Sequence, residues 1–181
     1  RRLAHALGGD ITIVKSSTNV GSVFLISIRV EVNDEARYQD TASKQVALHP
    51  EILGGLKVLL VEDAPDNRLL FVNILNYYGA QVEAGVNGRE GVELALKGRF
   101  DVVLMDIQMP LMDGYEAIQR LKKCDYQVPI IALTAHAMPE ERKRTQEAGF
   151  VAHITKPIDP AELIACVYKY ACLYRNVQVI Q

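Results

Sequence analysis

The sequence predicts an α/β fold in which a doubly wound, five-stranded parallel sheet carries helices on both faces. Short apolar runs alternate with segments of helical periodicity from residue 56 to residue 173. Three of the runs are apolar almost throughout, as expected for parallel strands covered on both faces, and this repeated alternation is typical of a doubly wound sheet. The five runs are KVLLVE (57–62), QVEAGV (81–86), DVVLMD (101–106), VPIIALT (128–134) and FVAHIT (150–155).

Capping residues mark the ends of the predicted helices. Asn87, Asp113 and Asp159 each stand three residues before a glutamate, close to the capping-box pattern. Gly79 and Gly149 stand where helices should end. For Asp113 the spacing favours a helix N-cap over a metal ligand.

Composition excludes several classes of function. The 181 residues have a formal net charge of −2, so the composition does not indicate a nucleic-acid-binding surface. No apolar run is long enough to span a bilayer. The three cysteines lack metal-ligand spacing and are interpreted as reduced thiols. We expect a cytoplasmic fragment without membrane contact, taken from a longer parent chain that could itself be membrane-anchored.

The sequence divides into three parts. Residues 1–33 contain a helix end at Gly8-Gly9 and two strands, which are too few to form an independent core. Residues 34–55 are polar and mixed in charge, and we interpret them as a linker whose residues 48–53 could dock on the next domain. Residues 56–176 form that second domain.

Five polar side chains follow or end four of the predicted strands. Glu62 and Asp63 come after the first strand of the domain, Asp106 and Thr134 end the third and fourth, and Lys156 lies just past the fifth. In a doubly wound sheet these carboxyl ends border the functional crevice.

Three crowded carboxylates need compensating charge, because mutual repulsion and desolvation disfavour their ionised forms. Lys156 offsets one carboxylate, and a hard cation bound by oxygen ligands, Mg²⁺, would offset the others. An aspartate beside Mg²⁺, a lysine and a hydroxyl group is equipped to attack a phosphoryl group and carry it as an acyl phosphate.

The acidic pair and the motifs LMDIQMPLMDG, ALTA and ITKP together resemble the response-regulator receiver domain over about residues 56–174. The resemblance implies a flavodoxin-like strand order of 2-1-3-4-5 and a phosphoacceptor at Asp106. It implies a role for Thr134 and Lys156 in binding the phosphoryl oxygens, and a cis Lys156–Pro157 peptide. The metal ligands that it implies for Mg²⁺ are Glu62, Asp63, Asp106 and the backbone carbonyl of Gln108.

His153 departs from the receiver pattern. The family usually has Tyr or Phe three residues before the lysine, where the ring acts with the threonine as a switch, so the resemblance implies that Thr134 and His153 form the switch pair here. An imidazole at this position would add pH sensitivity. The side chains of Gln108 and His136 stand where the family tunes hydrolysis of the phosphoryl group.

The N-terminal segments LAHALGGDITIVKSS and GSVFLISI resemble the C-terminal end of a histidine-kinase ATP-binding domain. Together the two resemblances imply a fragment of a hybrid sensor histidine kinase that works in a two-component phosphorelay. The implied partners are a histidine kinase domain and a histidine phosphotransfer protein or domain. His5 and His49 lack the surroundings of a phosphorylated histidine.

Two other functions remain open at this stage. An aspartyl-nucleophile phosphatase resembles this pattern but wants a second aspartate two residues past the nucleophile, where this chain has Gln108. The other is an interaction module that works without phosphorylation. Tyr168, Tyr170 and Tyr174 are explained either by helix packing or by a partner-binding surface.

Overall fold

A computed structural model describes residues 8–17, 21–27, 49–135 and 138–179. The chain divides into two compact units, residues 1–44 and residues 45–181.

The first unit contains an antiparallel hairpin of β1 (Ile11–Ser17) and β2 (Gly21–Ile26). Ile11 pairs with Ile26, and the register shifts between Ile13 and Lys15. The apolar side chains of Ile13 and Ile26 are 63% and 65% exposed. The predicted helix end before Gly8, including His5, lies outside the described residues, as does the expected continuation of the second strand to residue 30.

The second unit is a five-stranded sheet in which every neighbouring pair of strands is parallel. Its strands are β3 (Lys57–Val61), β4 (Gln81–Gly85), β5 (Val102–Asp106), β6 (Ile130–Thr134) and β7 (Ala152–Thr155). The helices are α1 (Pro65–Tyr77), α2 (Gly88–Lys97), α3 (Gly114–Lys123), α4 (Pro139–Ala148) and α5 (Pro160–Val179). The strand order β4-β3-β5-β6-β7 confirms the predicted 2-1-3-4-5 arrangement.

The two faces of the sheet bury separate apolar clusters. Side chains alternate between faces along each strand, so Val58 and Leu60 join α1 and α5 on one face, whereas Leu59 and Val61 join α2 and α3 on the other. Helix α4 contributes little to either cluster, because Thr145 is its one buried side chain. The strands are therefore covered on both sides, and the polar side chains of a candidate site can be reached only where the strands end.

The predicted helix caps are present. The side-chain oxygens of Asn87 and Asp113 accept hydrogen bonds from the backbone N–H groups three residues later, at 3.0 and 2.7 Å. Asp159 instead accepts from Ala161 at 2.8 Å, two residues later. Both acceptor patterns cap a helix, because the second and third N–H groups are equally orphaned.

The segment before β3 packs into the second unit. Leu53 is fully buried in the core, and its N–H donates to the Tyr78 carbonyl oxygen at 2.9 Å. Gly79 then ends the neighbouring helix with a φ of 91°. The docking expected of residues 48–53 is thus seen at Leu53.

Among the described residues, no helix combines the length and apolarity needed to cross a membrane.

Asp101 joins three segments at the sheet's amino edge. Its carboxylate accepts two hydrogen bonds from the Arg175 guanidinium, both 2.7 Å long, and one from the Lys57 N–H, also 2.7 Å. Arg175 additionally donates to the Gly55 carbonyl oxygen. These contacts attach the last helix to the first and third strands of the sheet.

Arg175→Gln should lower the free energy of unfolding by about 1 kcal/mol, because a paired, charge-assisted contact is lost at a half-exposed site. Urea denaturation of both proteins measures this change. Glu93→Gln is the matched control, since it breaks an exposed 3.8 Å pair with Lys97 and should change stability by less than about 0.5 kcal/mol. Equal effects of the two substitutions would contradict the role given to Asp101.

Candidate functional site

Three carboxylates converge at the carboxyl edge of the sheet. Glu62 and Asp63 follow β3, and Asp106 ends the neighbouring β5, where Val61 stands opposite Met105. One carboxylate oxygen from each of the three acids lies within 4.8 Å of the other two. The predicted crowding is therefore real.

Lys156 bridges two of these acids. Its Nζ donates to Glu62 Oε2 at 2.7 Å and to Asp106 Oδ2 at 2.6 Å. Glu62 is fully buried and Asp106 is 5% exposed, so unpaired charges here would be costly. The backbone N–H of Lys156 also donates to the Thr134 carbonyl oxygen at 2.7 Å, which connects the segment after β7 to the end of β6.

Burial and pairing oppose each other in this cluster. Burial raises the pKa of the Glu62 carboxyl group, and its hydrogen bonds from Lys156 and Asn67 only partly offset that effect. Burial by itself would lower the pKa of the Lys156 ammonium group, but the hydrogen bonds to Asp106 and Glu62 reverse the direction and raise it. The lysine is thus held in its charged form by the carboxylates.

The loop after β5 is built tightly around Asp106. Asp106 Oδ1 accepts a hydrogen bond from the Gln108 N–H at 3.1 Å, and the Gly114 N–H donates to the Ile107 carbonyl oxygen at 2.9 Å. A Cβ atom at Gly114 would stand 2.5 Å from the Asp106 carbonyl oxygen. The Asp113-Gly114 pair therefore caps α3 and allows its first residue to pack against the backbone of Asp106.

The remaining predicted residues occupy different surroundings. Thr134 is buried at the end of β6, the strand next to β5. His153 lies on β7 and lines a cavity of about 700 Å³, together with residues of α4 and Tyr170. The Lys156–Pro157 peptide is cis, as expected, and His136 lies outside the described residues.

Of the three C-terminal tyrosines, Tyr170 packs partly buried against the core, which fits the packing explanation. Tyr168 is 45% exposed, and Tyr174 lines a cavity beside Arg175.

Sequence reasoning missed the contacts that two residues of the first turn of α1 make. Asn67 Nδ2 donates to Glu62 Oε1 at 3.0 Å. Arg68 Nη1 donates to the carbonyl oxygens of Glu62 and Asp63, at 2.8 and 3.0 Å. A signal was present, because a cation near a helix N-terminus opposes the helix dipole and calls for a compensating partner.

Sequence reasoning also missed the contacts that join α3 to α4. The Tyr115 hydroxyl group donates to Glu141 Oε1 at 2.6 Å, and the Arg144 guanidinium lies 4.2 Å from the centre of the Tyr115 ring. Burial and the Glu141 contact raise the pKa of the Tyr115 hydroxyl group. These contacts hold α4, which has little apolar burial of its own.

The donor set suits a hard divalent cation. Glu62, Asp63 and Asp106 offer carboxylate oxygens only, and no histidine or cysteine joins them in the described part of the chain. Oxygen ligands of this kind favour Mg²⁺ over zinc. The site can therefore place a cation beside a buried aspartate and a lysine.

Comparison with known proteins gives the same assignment for the second unit. Residues 58–168 match the family model described as the response regulator receiver domain. The chain is 29% identical over 158 residues to the sensor protein EvgS of Escherichia coli K12. The matched region covers 87% of this chain and 13% of EvgS. The chain therefore spans about an eighth of the length of that relative.

Two solved structures share the fold of the second unit. The receiver domain of the sensor histidine kinase PA1611 of Pseudomonas aeruginosa, with a magnesium ion coordinated in its active site cleft, is 34% identical with a TM-score of 0.61, covering 65% of this chain and 98% of that one. The receiver domain of Ssk1 from Saccharomyces cerevisiae, crystallised with the histidine phosphotransfer protein Ypd1, is 24% identical with a TM-score of 0.64, covering 67% and 92%. The second likeness concerns the fold alone.

His153 should make the unfolding free energy depend on pH. Burial lowers the pKa of its imidazole below 6.5, Arg142 of α4 adds to this shift, and Glu162 of α5 opposes it. The unfolded chain therefore binds the proton more readily, so stability should fall as the pH decreases through about 6.5. In His153→Gln this component is absent.

Urea denaturation between about pH 7.5 and about pH 5.5 measures the pH dependence. The wild type should lose more stability across this interval than His153→Gln, whereas the exposed-residue control His49→Gln should follow the wild type. Identical pH profiles for the wild type and His153→Gln would show that the imidazole is solvated like that of an unfolded chain.

Proposed function

The chain belongs to the response regulator receiver domain family, and from this premise we propose that Asp106 accepts a phosphoryl group from a phosphohistidine in a Mg²⁺-dependent phosphorelay reaction. The observation that carries this proposal is the approach of the three carboxylates to within 4.8 Å of one another, with Lys156 bonded to two of them. A purely structural ion pair would not need three acids.

The transfer exchanges one bond to phosphorus for another. An Asp106 carboxylate oxygen forms a bond to phosphorus as the phosphorus–nitrogen bond of the phosphohistidine breaks, and the electron pair of that bond returns to the imidazole nitrogen. Bound Mg²⁺ supplies positive charge that favours the anionic phosphoryl oxygens.

Six other groups have proposed roles in this reaction. Glu62, Asp63 and the Gln108 carbonyl would hold the cation with Asp106. Lys156 would pair with a phosphoryl oxygen, and the Thr134 hydroxyl group would donate to another. With His153 as its partner, Thr134 would report the phosphorylated state to the face formed by β7 and its neighbouring helices.

We also propose that residues 1–33 are the C-terminal end of a histidine-kinase ATP-binding domain, so that the parent chain is a hybrid sensor histidine kinase. The β1–β2 hairpin supports this interpretation, because its exposed isoleucines are suited to packing within a larger domain. The 158-residue match to a sensor protein also extends beyond the receiver. A kinase domain and a histidine phosphotransfer domain are then the partners, in the cytoplasm where ATP is available.

Asp106→Asn should abolish labelling of the protein by acetyl phosphate in the presence of Mg²⁺, because the amide is not a nucleophile for phosphorus. Intact-mass spectrometry measures the added phosphoryl group. Asp113→Asn is the matched control, since asparagine caps α3 as well as aspartate does, and it should be labelled like the wild type. Labelling that persists in Asp106→Asn would refute the assigned acceptor.

Removal of residues 1–48 should leave this labelling unchanged, because the core of the receiver begins with the buried Leu53. The rate of acetyl phosphate labelling and the thermal midpoint of the shortened chain test the proposed boundary. A large loss of either quantity would mean that the receiver depends on the N-terminal segment.

A further inference from the structure

The turn between β3 and α1, residues Glu62 to Ala64, is held at its backbone by one guanidinium group. Arg68 Nη1 donates to the carbonyl oxygens of both Glu62 and Asp63. On the other side, the Glu62 N–H donates to the Gly85 carbonyl oxygen at 3.1 Å. The backbone that presents both acids is therefore fixed from two directions.

The neighbouring residue holds a side chain of the same turn. Glu62 is fully buried, and each of its carboxylate oxygens has a donor: Asn67 on Oε1 at 3.0 Å and Lys156 on Oε2 at 2.7 Å. Donors on both oxygens fix the orientation of the carboxylate. That orientation also sets where the Lys156 ammonium group lies relative to Asp106.

Helix stability does not explain Arg68. It lies in the first turn of α1, where the helix dipole disfavours a cation. Its hydrogen bonds run to the two carbonyl oxygens of the turn, so we attribute the presence of Arg68 at this position to the turn.

We propose that Asn67 and Arg68 are positioning residues that hold the acidic turn in the geometry that binds a divalent cation. The inference rests on the proposed function, because it assigns the cation to Glu62, Asp63 and Asp106. Partners that fix the orientation of metal ligands commonly control affinity even though they do not touch the ion.

The sign of the effect separates positioning from simple charge. Arg68 is a cation near the cation site, so if it acted only through its charge, Arg68→Gln would reduce repulsion and tighten Mg²⁺ binding. If it positions the turn, the same substitution weakens binding. Asn67→Ala supplies a second variant without any change of charge.

The experiment is a Mg²⁺ titration of the 181-residue chain by isothermal calorimetry, with the thermal midpoint of each metal-free protein recorded in parallel. Arg68→Gln and Asn67→Ala should each raise the dissociation constant about tenfold, and Arg68→Lys, which keeps a donor near the carbonyl groups, should recover part of the loss. The matched controls are Arg120→Gln and Asn73→Ala, exposed residues of the same types, which should bind like the wild type.

Unchanged or tighter Mg²⁺ binding in both Arg68→Gln and Asn67→Ala would overturn the proposal, even if their metal-free thermal midpoints fall. A lower midpoint alone is the result expected of a merely structural role. Failure of the proposed function has a different signature, namely a wild-type chain that binds Mg²⁺ but gains no phosphoryl group on Asp106 from acetyl phosphate.

Discussion

The bridge from Lys156 to Glu62 and Asp106 is the interaction on which the rest of the site depends. Three carboxylates within 4.8 Å of one another repel strongly when desolvated. One ammonium group, 2.7 and 2.6 Å from two of them, offsets a single negative charge. Three negative charges and one positive charge leave −2, which is the charge that a divalent cation neutralises. The lysine thus makes the cluster tolerable without the metal while leaving the cluster complementary to it.

The fold allows this crowding because it separates stability from chemistry. Alternating side chains of the central strands supply two apolar clusters, one on each face, so the polar rim is not needed for the core. Parallel strands bring their carboxyl ends to one edge, and the tight packing of Gly114 against Asp106 closes the loop that follows. At the opposite edge, Asp101 and Arg175 attach the last helix to the sheet. Ion pairs therefore arrange the acidic cluster at the carboxyl edge of the sheet and attach the last helix at the amino edge.

The parts that could be predicted from the sequence are those with a local or periodic signature. Strand and helix alternation, the caps at Asn87 and Asp113, and the rim carboxylates all follow from residue type and spacing. Contacts made by long side chains have no such signature. The Asp101–Arg175 contact joins residues 74 positions apart, and the bonds of Arg68 run to carbonyl oxygens, which every residue possesses. The first turn of α1 offered one clue, a cation that opposes the helix dipole.

In the proposed reaction, the buried Glu62 would hold Lys156 in addition to helping bind the cation. Both oxygens of Glu62 have donors, from Asn67 and Lys156. Asp106 also has a donor on each oxygen, the Gln108 N–H and Lys156, whereas Asp63 is only partly buried. In the proposed transfer to Asp106, Lys156 would shift one hydrogen bond to a phosphoryl oxygen. Its hydrogen bond to Glu62 could persist during that shift, which would keep the ammonium group paired with a carboxylate. Glu62 would then be the partner that Lys156 keeps while its other hydrogen bond moves.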